Sequence, residues 1–423
     1  MGLGTCRQSR LNNVIMRRSP RLRRKACYRS ADVRLLSLGL LALLLELGWL
    51  ALWPLSAALS HSAEFTSEVL ATYTPAARVL HLSVRATRLI LPEASDTPIG
   101  EPLGSAAYIA PATALAVVML FLAAVYVLSL CVLERGLGAR RGALWLVLAG
   151  ALMFQTTLVF LPGFFSQDVF SYIAYGRLAA IYDLNPYVWP PSAIPRDPVM
   201  PWVAEVWRSY AAPYGPVWLD VQGLMARVFG STSIVDQAMT YRLLANALLL
   251  ANLGLAWIAL GRLTHLDRAQ RTTALAMLAW NPLVLFEVGA NAHNDVLMVT
   301  FSLLALIVFA RSSNGVLSGA GFTLGALVKY LSGVGLVWVA VASAARAVSG
   351  KEQLLRLAVV GLFSTALQKL PLASKSLRGC HSMIRSAARL KVSRSSAGRS
   401  LEFGFVGHLD TGPASLRLIH GFL

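Results

Sequence analysis

Charge is scarce in this sequence and cysteine scarcer still. Of 423 residues only 14% are Asp, Glu, Lys or Arg, and four are Cys. A soluble domain carries about 25% charged residues, so the chain lacks the polar surface that two or three soluble domains would need. Cys6, Cys27, Cys131 and Cys380 show no metal or redox spacing, which excludes a disulfide framework and a cysteine-based metal motif. Acids are few as well, 20 against 38 Lys and Arg. What the chain has is apolar residues, 56% of the total. That composition excludes a disordered chain and points to a polytopic membrane protein, in which helices in lipid replace a soluble core.

The net charge of +18 resembles a nucleic-acid signal until it is located. Residues 1–34 hold ten Lys/Arg and one acid; residues 368–423 hold nine Lys/Arg and two acids. The remainder is nearly neutral. Basic tails of this kind hold a terminus on the cytoplasmic side. With no binding module beside them, no nucleic-acid partner is expected.

The apolar runs predict an all-α bundle of about eight spans. Leu35–Leu59 is too long for a signal-peptide core and reads as the first span. Ala112–Leu133, Ala143–Leu161, Met239–Gly261, Thr272–Val288, Val296–Ala310, Val316–Val328 and Leu331–Ala345 follow. The 216–229 stretch carries Asp220 and Arg227, is short for a span, and reads as an interfacial or re-entrant helix. The inside links then carry Arg135, Arg140, Arg141, Arg262, Arg268, Arg271, Arg311, Arg346, Lys351 and Arg356, as the Lys/Arg bias requires. Outside lie a mixed loop, 60–111, and a long aromatic, Pro-rich one, 162–215. The expected organisation is a basic tail 1–34, N-terminal spans and loop 35–142, a membrane core 143–350, and an end segment 351–423. Near residue 365 the apolar pattern stops in mid-helix. The segment after it reads either as an inside tail rich in Ser and Arg or as the product of a truncation or a shifted frame.

Polar groups collect on the outer face. Phe165-Ser-Gln-Asp-Val-Phe-Ser-Tyr-Ile-Ala-Tyr-Gly-Arg177 follows the third span and places Asp168, Tyr172, Tyr175 and Gly176 at one-turn spacings, on one helical face. Asn185-Pro-Tyr187 and Tyr214-Gly-Pro216 carry turn chemistry. Asn291-Ala-His-Asn-Asp295 places three polar groups between apolar spans, which is costly unless they line a wet cavity. Lys329-Tyr330 follows an apolar helix, and Arg242 opens the long span from the same side. A carboxylate there can take the proton of an acceptor hydroxyl, and cations can stabilise a leaving phosphate. The chemistry that fits is glycosyl transfer from a lipid-phosphate sugar. Asp168 is the expected base, with capping of the helix that follows as the alternative, as snorkelling at the interface is for Lys329. Arg242, His293 and Lys329 are the candidates for the donor phosphate. Tyr172, Tyr175, Asn185, Tyr187, Asn294, Asp295 and Tyr330 are the candidates for substrate. Aromatic residues such as Trp189 and Trp202 can stack on sugars or anchor at the interface.

The motifs resemble the GT-C superfamily of integral-membrane glycosyltransferases. More narrowly they resemble the bacterial polyprenyl-phosphate-mannose-dependent mannosyltransferases, a group that includes alpha-1,6-mannosyltransferases of cell-envelope mannan. The stretches that carry the resemblance are Gln167-Asp-Val-Phe-Ser-Tyr-Ile-Ala-Tyr-Gly176, Asn185-Pro-Tyr187, Tyr214-Gly-Pro-Val-Trp218, Asn281-Pro-Leu-Val-Leu-Phe-Glu287, Asn291-Ala-His-Asn-Asp295 and Val328-Lys-Tyr330, over residues 143–350. The resemblance implies a GT-C-like bundle and a polyprenyl-phosphate sugar donor, mannose or another hexose. It implies a glycan or glycolipid acceptor, inversion at the anomeric carbon, and a catalytic carboxylate at Asp168. It implies a multi-pass protein of the cytoplasmic membrane, N-terminus inside and active site outside. Members often carry paired acids in the first large outside loop of the core. Here Gln167 precedes Asp168 and no acid follows two residues on, so no cofactor is required and a divalent cation is the alternative. Members also continue with further spans; a chain without them would be an inactive remnant that binds polyprenyl lipid. The reading from another class is a transporter or lipid flippase, which predicts inverted repeats and helices broken at mid-depth.

Overall fold

The computed structural model describes residues 20–59, 69, 71–72, 78, 82, 109–135, 137–312, 315–345 and 358, with side chains of the first helix described from Val33. The chain divides into two units, Met1–Met383 and Ile384–Leu423, and every described residue belongs to the first. Most of the loop expected at 60–111, the link after residue 345 and the tail lie outside the described residues.

Among the described residues the structure is helical. The helices are α1 (Pro20–Leu59), α2 (Ile109–Glu134), α3 (Arg141–Val159), α4 (Asp168–Ala180), α5 (Pro216–Phe229), α6 (Ile234–Leu263), α7 (Arg268–Ala279), α8 (Asp295–Ser312), α9 (Gly315–Ala326) and α10 (Gly333–Ala344), with short turns between them. Stretches within α1, α2, α3, α6 and α8 are long and apolar enough to cross a membrane, and α7 with the segment to Ala290 makes a sixth as one bent pair. Helices α9 and α10 are apolar but have 12 residues each, short of the ~17–25 that a span takes. The expected number of about eight is reached only by counting both. Helix α5 covers the stretch 216–229 and is not among the helices long and apolar enough to cross a membrane.

The boundaries follow from local chemistry. Pro216 opens α5, where its missing N–H costs nothing. Ser233 caps α6 by accepting from the Asp236 N–H. Asp267 and Gln270 close a capping box on α7. The span expected over Thr272–Val288 is broken. Pro282 cannot donate into the preceding turn, and the Asn281 side chain accepts from the N–H groups of Leu283 and Val284 and starts a new helix. The two pieces meet at a 40° bend. The second then widens into a π-helical turn, Leu285–Ala290.

Packing joins α1 to α2 and α3, α4 to α5, α6 to α8, and α9 to α8 and α10. Trp280 sits between α3 and α7, donating to the Val147 carbonyl at 2.8 Å and lying where a side chain at Gly150 would be. The two ends of this bundle differ. At one, Arg34 donates to the Arg135 carbonyl and Gly138 abuts Ala269. At the other lie α4, α5, the turn 291–294 and the end of α9.

At this second end a strap crosses the bundle. The Gly215 and Val217 N–H groups donate to the carbonyls of Val328 and Leu327 at 3.2 and 3.0 Å. A Cβ on Gly215 would lie 2.1 Å from the Leu327 oxygen, whereas one on Gly223 would meet nothing within 4 Å. The obstacle is backbone, so it cannot rotate away. Gly215→Ala should therefore lower stability by about 1–3 kcal/mol through overpacking, and Gly223→Ala should leave it equal or raise it, since Ala suits a helix better. Thermal unfolding of the two variants in detergent checks this; equal midpoints would show that the strap carries no load.

Candidate active site

Helix α4 begins at Asp168. Its N-cap position is Gln167, so the carboxylate is not used as the cap. The loop before it is pinned from two sides. The Asn291 Oδ1 accepts from the N–H groups of Phe165 and Ser166 at 3.0 and 3.2 Å. Arg242 donates to the carbonyls of Leu161 at 2.7 Å, Gly163 at 2.6 Å and Val159 at 3.3 Å, and to that of Ala290 at 3.0 Å, with its guanidinium 3.7 Å from the centre of the Phe164 ring. Asn246, one turn on, donates to the Gly289 carbonyl at 3.0 Å. The π-helical turn frees carbonyls from the regular ladder, and these two side chains take them up. Arg242, expected at the donor phosphate, is thus fully buried and committed to backbone oxygens.

The two pinned loops bring three acids and two basic groups together. The His293 Nδ1 lies 3.1 Å from the Glu287 Oε2, and its Nε2 lies 3.9 Å from the Asp168 Oδ2. The Lys329 Nζ donates to the Asp295 Oδ2 at 2.8 Å, and the lysine is 46% exposed. Behind them are three tyrosines. Tyr172 packs edge-on against Tyr214 with ring centroids 5.2 Å apart, and Asp168 and Asp295 are both near enough to act on its hydroxyl. Burial pushes the hydroxyls of Tyr172, Tyr175 and Tyr214 well above the ordinary tyrosine range, and the Asp168 carboxylate pushes the same way. They remain protonated and serve as fixed hydrogen-bonding groups. Among the described residues no three His, Cys, Asp or Glu side chains are arranged to hold a metal ion.

Glu287, His293 and Asp295 stand at a cleft of about 420 Å³ whose other walls are apolar apart from Asn252, among them Leu249, Leu278, Leu283, Val288 and Val296. The cleft runs between α6, the bent pair and α8. Its polar mouth and greasy depth suit an amphiphile with a charged head.

Of the residues expected at the site, the structure brings together Asp168, Tyr172, His293, Asn294, Asp295 and Lys329. Tyr175, Asn185 and Tyr187 support the 181–214 loop. The Tyr175 hydroxyl donates to the Tyr210 carbonyl, the Tyr187 hydroxyl donates to the Tyr214 carbonyl, and the Asn185 side chain accepts from the Tyr187 N–H. Tyr175 and Tyr187 lie with Leu178, Ile194, Ala212 and Leu219 in a small apolar cluster. Tyr330 is exposed beside Lys329. Glu287, named only as the end of a motif inside an apolar run, and Asn291 had no role in the sequence reading. That reading missed the Arg177–Asp197 pair, which joins α4 to the loop at 2.8 Å. The motif Asn281-Pro282 was the available signal for Glu287, because a Pro-broken span can turn a buried acid into a lining one.

Comparison with known proteins gives a consistent likeness. A family model described as alpha-(1->6)-mannopyranosyltransferase, N-terminal domain, matches residues 82–345, which include every site residue above. A probable alpha-(1->6)-mannopyranosyltransferase of Mycolicibacterium smegmatis is 32% identical over 151 residues, 35% of this chain and 26% of that protein. Alpha-(1->6)-mannopyranosyltransferase A of Mycobacterium tuberculosis is 32% identical over 180 residues, 41% and 33% of the two chains. Alpha-(1->6)-mannopyranosyltransferase B of Corynebacterium glutamicum is 26% identical over 219 residues, 48% and 35%. The chain thus spans about a quarter to a third of the length of the curated relatives it matches. No solved structure matches it.

Proposed function

The chain belongs to the alpha-(1->6)-mannopyranosyltransferase family, and on that premise we propose that it transfers mannose from a polyprenyl-phosphate carrier to a glycan or glycolipid outside the cytoplasmic membrane, with inversion and with Asp168 as base. The observation that carries this reading is the apolar cleft with charged groups at its mouth and Asp168 beside them. The isoprenoid lies along the cleft wall and the phosphate reaches the mouth. The acceptor hydroxyl approaches from the α4 side and loses its proton to Asp168 as its oxygen bonds to the anomeric carbon. The bond from that carbon to the phosphate oxygen breaks, and the polyprenyl phosphate leaves.

Lys329 is the cation we assign to the departing phosphate. It is exposed, and its partner Asp295 lines the cleft. His293 is less suited, because both ring nitrogens already face carboxylates. Arg242 is assigned to holding the two loops. Tyr172 and Asn294 shape the sugar pocket, and Tyr330 and Asp295 border the acceptor path. N-terminus inside and site outside follow from the Lys/Arg bias, and the opposite end of the bundle, with Arg34 and Arg135, supports that orientation.

The broken span at Asn281 also favours a second reading, a lipid-linked sugar carrier, since broken helices line transport sites. One assay separates the two. Membranes holding the chain receive radiolabelled polyprenyl-phosphate mannose, with and without EDTA. Label joined covalently to an acceptor, undiminished by EDTA, is the expected result. No resident cation is invoked, as the acids are already met by His293 and Lys329. Transfer that stops with EDTA and returns with magnesium would put a divalent cation at the phosphate. Label that only changes leaflet would favour the carrier.

A further inference from the structure

Glu287 and His293 are not used by the steps above, yet the backbone around them is held by several constraints. Glu287 lies in the π-helical turn, and the His293 N–H donates to the Glu287 carbonyl at 3.2 Å. Side chain and main chain of His293 are therefore both tied to Glu287. Between them Ala292 adopts a φ of 59°, a left-handed conformation that a residue with a Cβ keeps only where its surroundings impose it. Asn291, next to it, fixes the loop that carries Asp168. These constraints set one geometry, an imidazole held between two carboxylates.

We propose that His293 receives the proton taken up by Asp168 and that Glu287 is the positioning residue that prepares it. The proposal rests on the transferase reading above. A ring that donates its Nδ1–H to Glu287 leaves a lone pair on Nε2. That nitrogen is buried without a hydrogen-bond partner, and it faces Asp168 at 3.9 Å. The gap is longer than a hydrogen bond and closes by about 1 Å when the acceptor binds, as catalytic contacts do. The proton leaves the acceptor oxygen for the Asp168 Oδ2 and passes to the His293 Nε2. The imidazolium so formed keeps its Nδ1–H on the Glu287 carboxylate. After the products leave, the imidazolium loses its Nδ1 proton through the Glu287 carboxylate to water, the ring returns to its Nδ1–H tautomer, and Asp168 is again a base. Asp295 and Lys329 neutralise each other at the far side of the same mouth. Water reaches the outer member of the chain most readily, since side-chain exposure is 40% for Glu287 against 22% for His293.

The test uses the full chain in nanodiscs with labelled polyprenyl-phosphate mannose. Glu287→Gln should lower kcat by about tenfold and His293→Gln by about a hundredfold, the low end of general acid–base effects, with the donor KM changed less than twofold. The double variant should be no slower than His293→Gln alone, because the two residues act as one unit. Nitrogen-15 NMR of labelled histidine, with His293→Gln identifying the signal, should show His293 protonated at Nδ1 in the wild type and shifted toward Nε2 in Glu287→Ala. Losses that multiply, a rise in donor KM at unchanged kcat, or a tautomer indifferent to residue 287 would each overturn the proposal. A wild type that transfers no label would overturn the transferase reading instead, and the NMR result would still judge the Glu287–His293 pairing.

Discussion

Asp168→Asn should cut transfer by roughly 10²–10⁴-fold, the contribution of a positioned general base, while leaving insertion and the thermal midpoint unchanged. The two parts of this expectation have separate grounds. Asn keeps the shape and one oxygen but cannot accept the acceptor's proton. Helix α4 does not depend on the carboxylate, because its cap position is Gln167 and it is buried on all sides from Val169 to Leu178. A partly exposed side chain of this kind changes stability by about 0.5 kcal/mol or less. Initial rates at saturating donor, with the unfolding midpoint measured on the same preparation, check both. A variant that keeps a tenth or more of the wild-type rate would move the base elsewhere, and Asp295 would be the next to test. A variant that loses its fold would show that Asp168 also holds α4 against the 291–295 turn.

How far the sequence disclosed this arrangement depended on the kind of signal. The long apolar runs were legible because lipid demands them: α2, α3, α6, α8 and the apolar stretch Val33–Leu59 of α1 stand within a few residues of the expected spans, whereas helix α1 itself begins earlier, at Pro20. Asp220 and Arg227 marked 216–229 as a helix outside the set of long spans, and α5 is that helix. Asp168, His293, Asp295 and Lys329 were legible as polar groups stranded between apolar segments, which are costly unless something uses them. Glu287 was not, because it lies within an apolar run. Only the break at Asn281-Pro282 and the widened turn after it bring its side chain to the cleft. Asn185 and Tyr187 were drawn into the site because an aromatic, Pro-rich loop has no periodicity to tell a lining residue from a supporting one. The Asn185 side chain accepts from the Tyr187 N–H and the Tyr187 hydroxyl donates to the Tyr214 carbonyl, both within the loop.

Arg242 shows the limit most sharply, and it carries the other large expected effect. A cation at the outer end of a long span reads as a phosphate ligand. The sequence gives no hint that the loop after α3 and the π-helical turn leave carbonyl oxygens facing that point. One planar guanidinium serves four of them from two loops, with a fork geometry that an ammonium cannot reproduce. Arg242→Met fills the same space but withdraws every donor. Each buried oxygen left without a partner costs about 1–3 kcal/mol, and relaxation of the loops recovers part of the sum. We expect a net loss of about 3–5 kcal/mol, as for other buried charges removed from their partners. The midpoint in detergent should fall accordingly, and transfer should fall with it as the Asp168 and His293 loops drift apart. Arg242→Lys should recover less than half the loss. Lys329→Ala is the contrast, because its side chain is exposed and pairs only at the mouth. It should keep the wild-type midpoint and weaken donor binding. Were Arg242 a phosphate ligand, the two variants would behave alike, both well folded and both raised in donor KM. An unfolding midpoint for Arg242→Met equal to the wild type would therefore reverse the assignment, returning Arg242 to the substrate and leaving the two loops to be held by Asn291 and Asn246.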